Sequence, residues 1–406
     1  MSRRDLAPVL AGVSTGASIG VIGYVWAGYP LLISALARLR PVAEVTDPAW
    51  VLPTVTVVVA ALDEEAVIAD KVTELLECDY PPELLDVVVV CDGSGDRTAA
   101  HAAAAGPGRC RVIDDGARAG KSAAVNRGVA ASVADIIVLS DANNHYDVGT
   151  VGRLVAPFAD PTVAATVGAK RVVGGAAEVT VGEGAYWRYE STIKTAESRA
   201  GSCTAASGEV MAVRRDVVAE LPPGVINDDF FLILGALRSG GRVVYVPDAC
   251  SVETSSATSA DERSRRTRMA AGRFEAVSRG RSLLPDDHQL RWQIISHKYL
   301  RLALPWAFLG GLFGSMGWVA TGGRRLARVV CAGQIGFHAA SVVGHCWRPA
   351  GRVGRLLSVP AYLLDVNVAI ARGFVAWRRG TYRHGWERVR RAGEPQVDGT
   401  DAAVAA

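Results

Sequence analysis

The sequence has no C-x-x-C pair, and its seven cysteines do not cluster with its histidines. That pattern suggests neither a zinc site nor a disulfide framework and fits a reducing compartment for most of the chain. A strong charge of either sign is also missing. Lys and Arg total 44 against 41 Asp and Glu, a net charge of +3, so no overall field recruits nucleic acid. The one arginine-rich run, ERSRRTRMAAGR (262–273), has no interleaved aromatics, which argues against a stacking RNA surface. A single residue is missing from Asp115–Asn126, DGARAGKSAAVN. Only three residues separate Gly116 from Gly120, whereas the phosphate loop of ATPases has four between its glycines. The stretch also lacks a strand-borne acidic partner, so an ATP-driven machine is excluded.

Hydrophobic residues, by contrast, make up 50% of the chain. Leu6–Ala37 runs for 32 residues without a charge, more than the roughly 20 needed to cross a bilayer and too long for a cleaved signal peptide. Arg38 and Arg40 follow it and predict that the next domain faces the cytoplasm, although Arg3 and Arg4 flank the other end. Leu302–Gly323 and Val329–Trp347 are further spanning candidates. Leu357–Trp377, interrupted by Asp365 and Arg372, spans, re-enters or lies in the interface. His338, His345 and Asp365 fall inside these segments, and helix packing or a water-facing position is the expected role for each. After Arg391 the composition predicts a disordered tail.

The middle of the chain changes character. Thr54–Ala61 (TVTVVVAA) is a β-branched run suited to a strand buried on both faces. Helical spacing over Glu64–Cys78 follows, then strands at Asp86–Cys91, Cys110–Asp114 and Asp135–Ser140, separated by helices at Asp96–Ala105 and Lys121–Ser132. This alternation predicts an α/β domain with a doubly wound, mainly parallel sheet. Asp63, Glu64 and Glu65 follow the first strand, Asp92 ends the second and Asp141 ends the fourth. Acidic residues at that one edge mark a ligand site, because ligands bind outside the carboxyl ends of such strands. Asp96, in GSGDRT, is read as a turn or capping aspartate. Lys121 is placed at a helix N-terminus, where a diphosphate is favoured.

The ordered series VTVVVAALDEEAVI, DVVVVCDGSGDRT, GARAGKSAAVNRG and IIVLSDANN resembles glycosyltransferase family 2. The resemblance continues through SGEVMAVRRDVV, VINDDFFLILGALRSGGRVVYVPDA and RSRRTRMAAGRF, covering about residues 20–390. It implies an inverting enzyme with the GT-A fold and membrane segments, of the polysaccharide synthase type. By this resemblance Ala61 and Glu64 contact the nucleobase, Asp92 holds uridine, and Lys121 and Asn126 flank the nucleotide. Asp141 and Asn143 stand where the family has D-x-D, which binds Mg2+ or Mn2+ against the donor diphosphate. Asn143 leaves that site one charge short. Asp229 matches the general base and Asp228 its neighbour, although a run of carboxylates at a helix start also suits capping. Gly208, Arg265 and Arg268 fall on the diphosphate and acceptor side. Arg265, Arg268 and Met269 occupy the positions that read Q-x-x-R-W in processive members, and loss of the tryptophan argues against processive polymerisation.

The expected organisation is an anchor over 1–45, a catalytic domain over 50–280 and an interfacial linker over 281–300. Two or three spans follow over 301–378, then a basic and finally disordered tail over 379–406. The implied protein is a cell-membrane glycosyltransferase using a nucleotide-sugar donor, UDP-linked by the resemblance, and a lipid-linked or glycan acceptor. It contacts membrane lipids and not nucleic acid. The alternatives are a processive synthase with its own channel and a silent nucleotide-sugar-binding subunit of a membrane assembly.

Overall fold

A computed structural model describes residues 3–43, 45, 47–173, 177–254, 258–323, 325–347 and 351–383. The tail expected to be disordered, after Arg391, lies outside the described residues. The chain opens with α1 (Arg3–Gly23) and α2 (Tyr29–Leu39), joined through a wide π-type turn. Then come β1 (Val55–Ala61), α3 (Ile68–Leu76), β2 (Leu85–Cys91), α4 (Thr98–Ala105), β3 (Cys110–Asp114), α5 (Lys121–Ala131), β4 (Ile136–Asp141) and β5 (Asn144–Tyr146). The second half contains α6 (Thr150–Val155), β6 (Val163–Val173), α7 (Ala177–Arg199), β7 (Met211–Arg214), α8 (Asp228–Arg238), β8 (Arg242–Thr254) and α9 (Ser259–Ser278). The chain then runs through α10 (His288–Ile294), α11 (Leu304–Ala320), α12 (Arg325–Trp347) and α13 (Gly351–Arg379).

The strands form one eight-stranded sheet in the order β3-β2-β1-β4-β7-β6-β8-β5. β3, β2, β1 and β4 are parallel, β7 runs antiparallel between β4 and β6, β6 and β8 pair in parallel, and β5 closes the edge antiparallel. The β-branched run of β1 is buried along its whole length because helices cover both faces. Val58 and Ala60 pack with Ala124 and Val125 of α5 and with α8. Val55, Val57, Val59 and Ala61 pack with Ile68, Val72 and Leu75 of α3 and with α6. α5 approaches β1 so closely that a Cβ on Gly128 would stand 2.3 Å from a Val58 methyl, so only glycine fits there. The helix expected over Glu64–Cys78 begins four residues later, since residues 62–67 form the turn that carries the acidic cluster.

Among the described residues, four helical stretches are long and apolar enough to cross a membrane: Leu6–Leu39, His288–Ala320, Arg325–Trp347 and Gly351–Arg379. The segment expected as an interfacial linker is thus largely helical and continuous with the second stretch. The third C-terminal stretch has a distinct environment. A Cβ on Gly373 would meet Ala270 and the backbone of Thr267 and Ala271, so α13 lies directly against α9. His345 and Asp365, for which the sequence offered no partner, face each other at 2.9 Å between α12 and α13. His338 packs at the edge of Phe308 and Phe337.

Candidate active site

β1, β2 and β4 are adjacent and parallel, so their carboxyl ends deliver Ala61, Asp92 and Asp141 to one edge. In register, Ala61 is opposite Cys91 and Ala60 is opposite Asp141. Asp63, just past β1, holds φ +54°, a left-handed conformation that costs a non-glycine residue energy and concentrates at functional turns. Its carboxylate accepts from the Gly95 N–H at 2.8 Å and its own N–H donates to Ser94. Thr98 Oγ1 accepts from the buried Glu64's N–H at 2.8 Å. Asp96 accepts from Thr98 and from Glu65 N–H, the turn role expected for it.

Asp92 is fully buried. Its carboxylate accepts from the N–H groups of Ala119 and Gly120 at 2.8–3.0 Å and from Arg127 at 3.3 Å. The loop that resembles a phosphate cradle thus already has an anion: Asp92 organises its amides and lets Gly120, at φ +91°, turn into α5. Asn126 uses both ends of its amide on the Leu221 peptide, at 2.8 and 3.0 Å. It fastens α5 to the segment leading into α8, one layer behind the edge.

Lys121 opens α5, and its Nζ stands 2.8 Å from Asp141 and 3.6 Å from Asp228. Burial alone would lower this ammonium, but Asp141, Asp228 and Asp229 overcome it and hold the group above its ordinary value. Asp228 is buried in the first turn of α8. Burial pushes its carboxyl up, Lys121 opposes the shift, and Asp229 and Asp141 add to it. Neither aspartate takes the residue before the helix; Asn227 does, and its side chain donates instead to the Met269 carbonyl of α9 at 3.0 Å. Asp229 is backed by Gly208, where a Cβ would come within 2.9 Å of the Asp229 Cβ. The structure therefore brings Lys121, Asp141 and Asp228 into contact, with Asp229 beside them and Gly208 against it.

Asn143 lies in the turn between β4 and β5, two residues beyond Asp141. That turn is held from below by residues the sequence reading did not single out. The buried Lys71 donates to the Asn144 carbonyl at 3.0 Å and to Glu74 at 2.8 Å, and it sits 3.9 Å over the Tyr146 ring. Asn144 and Tyr146 both donate to the Glu209 carbonyl. Glu209, next to Gly208, pairs with Lys170 at 2.8 Å, and Lys170 also pairs with Glu253. Burial pushes the Glu209 carboxyl up, with Lys170 opposing. A signal for Lys71 existed: it shares the apolar face of α3 with Ile68, Val72 and Leu75. Lys170, Glu209 and Glu253 lie far apart in sequence, and only the sheet order joins them.

Arg265 makes a two-bond contact with Glu262 at 3.0 Å on α9 and feels Glu253 and Glu209. Arg268 is partly buried midway along the same helix. Hard oxygen donors, a half-buried ammonium and a partly desolvated carboxylate pair suit an anionic, polyoxygenated ligand and proton abstraction from a hydroxyl.

A β-monoglucosyldiacylglycerol synthase of Synechocystis is 32% identical over 191 residues, 45% of this chain and 40% of that protein. An N-acetylglucosaminyltransferase of Rhizobium meliloti is 27% identical over 248 residues, 54% of this chain and 58% of that protein. The matches thus span about half the length of these relatives. The structure of the mannosyltransferase PcManGT from Pyrobaculum calidifontis, in complex with GDP-Man and Mn2+, superposes with a TM-score of 0.66. The likeness covers 87% of this chain and 98% of that one at 24% identity, and it shows a shared GT-A fold. The family model described as glycosyltransferase like family 2 matches residues 53–272, more than half of the chain, and the chain belongs to family 2 of the glycosyltransferases.

Proposed function

We propose that the protein is a membrane-integrated inverting glycosyltransferase, its catalytic domain on the cytoplasmic side. It transfers a sugar from a nucleotide donor, UDP-linked by family resemblance, to a lipid-linked or glycan acceptor. The observation that carries this reading is the convergence of Lys121, Asp141 and Asp228 beside Asp229 at the carboxyl edge of the sheet.

In this reading the nucleoside lies along the edge past Ala61 and Glu64, in a pocket shaped by the loop that Asp92 holds. The donor set fits a hard divalent ion: Asp141 and Asn143 offer oxygens, and Asp141 already pairs with a cation, the Lys121 ammonium. A Mg2+ or Mn2+ held there would supply charge neutralisation for the diphosphate. Lys121 and, from α9, Arg268 stabilise that leaving group electrostatically. Asp229 accepts the proton of the acceptor hydroxyl as its oxygen attacks the anomeric carbon from the opposite side. Asp228, buried and paired with Lys121, fixes the start of α8 and therefore the direction of Asp229. Both carboxylates lie in the first turn of α8.

The experiment is Asp229→Asn in purified membranes with Mg2+ or Mn2+, screening UDP- and GDP-linked donors. Transfer should be abolished and donor binding retained; unchanged transfer would remove Asp229 as the base. Tight donor binding without turnover by the wild-type protein would favour a silent binding subunit.

A further inference from the structure

A second concentration of charge lies where α7, α9 and α13 meet residues 295–303, at the polar end of the apolar stretch leading into α11. Its centre is Tyr186 of α7. The Arg301 guanidinium reaches the Tyr186 hydroxyl at 3.1 Å, and Arg273 and Arg266 of α9 also act electrostatically on that hydroxyl. Lys298 lies near Arg301 and Arg273 as well. Glu190 is the carboxylate set among them, 2.5 Å from Arg301 and 3.8 Å from Lys298, and it is shared with His297 at 3.2 Å. Arg266 has Glu262 at 2.6 Å, whereas Arg273 has no carboxylate at ion-pair distance among the described residues. Arg301 is 6% exposed, yet its Nε finds no acceptor among the described residues, and neither does the indole N–H of the adjoining Trp187.

Buried donors without acceptors are costly and call for a partner. Arg301 and Lys298 share the Glu190 carboxylate with His297, Arg266 is paired with Glu262, and Arg273 is left without a carboxylate among the described residues, so the cluster can take a further anion. The cluster is flanked by aromatic rings: Arg301 sits 5.8–6.0 Å from the rings of Trp26, Tyr186 and Tyr189, and Arg266 lies 5.0 Å from Tyr362 of α13. Aromatic rings beside cations at the end of an apolar helix suit the headgroup level of a bilayer. The pocket is also tied to the proposed base. Arg266 and Arg273 flank Met269 by one helical turn on either side, and Met269 holds Asn227, the residue before Asp228. Tyr299, from the 295–303 segment, contacts Phe230, the residue after Asp229, with ring centres 6.4 Å apart.

We propose that this pocket binds the phosphate of a membrane lipid and that a free hydroxyl of the same lipid is the acceptor. The proposal rests on the transferase reading above. The lipid hydroxyl oxygen forms the new bond to the anomeric carbon. The bond from that carbon to the donor diphosphate breaks with its electron pair leaving on the diphosphate, and the hydroxyl proton passes to Asp229. Arg266, Arg273 and Arg301 take no part in bond making; they hold the phosphate so that the hydroxyl reaches Asp229.

The test uses the full chain in phosphatidylcholine nanodiscs doped with either phosphatidylglycerol, which has a phosphate and free hydroxyls, or dioleoylglycerol, which has a hydroxyl and no phosphate. Transfer to phosphatidylglycerol should exceed transfer to dioleoylglycerol at least tenfold. Losing one charge-assisted contact, Arg273→Gln should raise the apparent KM for phosphatidylglycerol about tenfold and leave donor KM and acceptor-free donor hydrolysis unchanged. Arg273→Lys should recover much of the loss, which a folding defect would not. Equal use of both lipids, or an Arg273→Gln effect equal on both, overturns the proposal. Inorganic phosphate that binds without competing with phosphatidylglycerol overturns it too. Were wild-type protein to show neither transfer nor hydrolysis with any donor, the transferase reading itself would fail. Arg273-dependent retention of phosphatidylglycerol by native mass spectrometry would then still identify the pocket as a lipid-phosphate site.

Discussion

Adding one methyl group at Gly208 tests how closely the proposed base is positioned. The new Cβ would stand 2.9 Å from the Asp229 Cβ and 3.4 Å from its carboxyl carbon, whereas ordinary contacts begin near 3.4 Å. Relief requires Asp229 to shift by about 0.5 Å. A misplacement of about 1 Å costs about 100-fold in rate, so Gly208→Ala should lower kcat about tenfold. Lys121 and Asp141 hold the donor side, and the three atoms nearest the new methyl all belong to Asp229, so donor KM should change little. Overpacking of this size costs about 1–3 kcal/mol, and a modest fall in Tm is expected with it. The assay is steady-state release of nucleoside diphosphate with acceptor present, run beside thermal unfolding. In an Asp229→Asn background the methyl should cause no further loss, because the two changes act through one group. A kcat within twofold of wild type, or an undiminished effect in the Asp229→Asn background, would show that Gly208 does not position Asp229.

Three further outcomes follow from the same geometry. Lys71→Met leaves the Glu74 carboxylate and the Asn144 carbonyl without their buried cation; a loss of about 3–5 kcal/mol is expected, read as a large fall in Tm. Asn126→Ala frees the Leu221 peptide and should cost about 1–3 kcal/mol, lowering kcat through the start of α8 while donor affinity, read by calorimetry, holds. Burial would raise the Glu262 carboxyl, but Arg265 and Arg266 overcome it and hold it at about 2. Because this folded value is depressed, the stabilisation is complete above the ordinary carboxylate range and fades as pH falls towards 2. It amounts to about 1.4 kcal/mol for each tenfold loss of proton affinity on folding. Unfolding followed from pH 5 down to pH 2 should therefore show a shallower acid slope in Glu262→Gln; an identical slope would deny the pairing.

The local sequence determined much of this protein. β-Branched runs, the strand-end aspartates and the uncharged 32-residue stretch each depend on neighbours in the chain, and so β1–β4, the acidic edge and the long apolar helices at Leu6–Leu39 and near the C-terminus could be read directly. The missing residue between Gly116 and Gly120 likewise ruled out an ATPase loop from spacing alone. Tertiary structure decided what those residues face. Asp92 turned out to hold the Gly120 loop, and Asn126 the Leu221 peptide, because a side chain's partner is set by packing between elements distant in sequence. The insertion of β7 between β4 and β6 brought Glu209 beside Lys170 and beneath the Asp141 turn, a contact no spacing rule contains. The same holds for Tyr186 with Arg266, Arg273 and Arg301, whose charges converge only once α7, α9 and the segment before α11 are packed together. Periodicity is a property of one element, whereas a site requires several elements to be fixed at once by a common core.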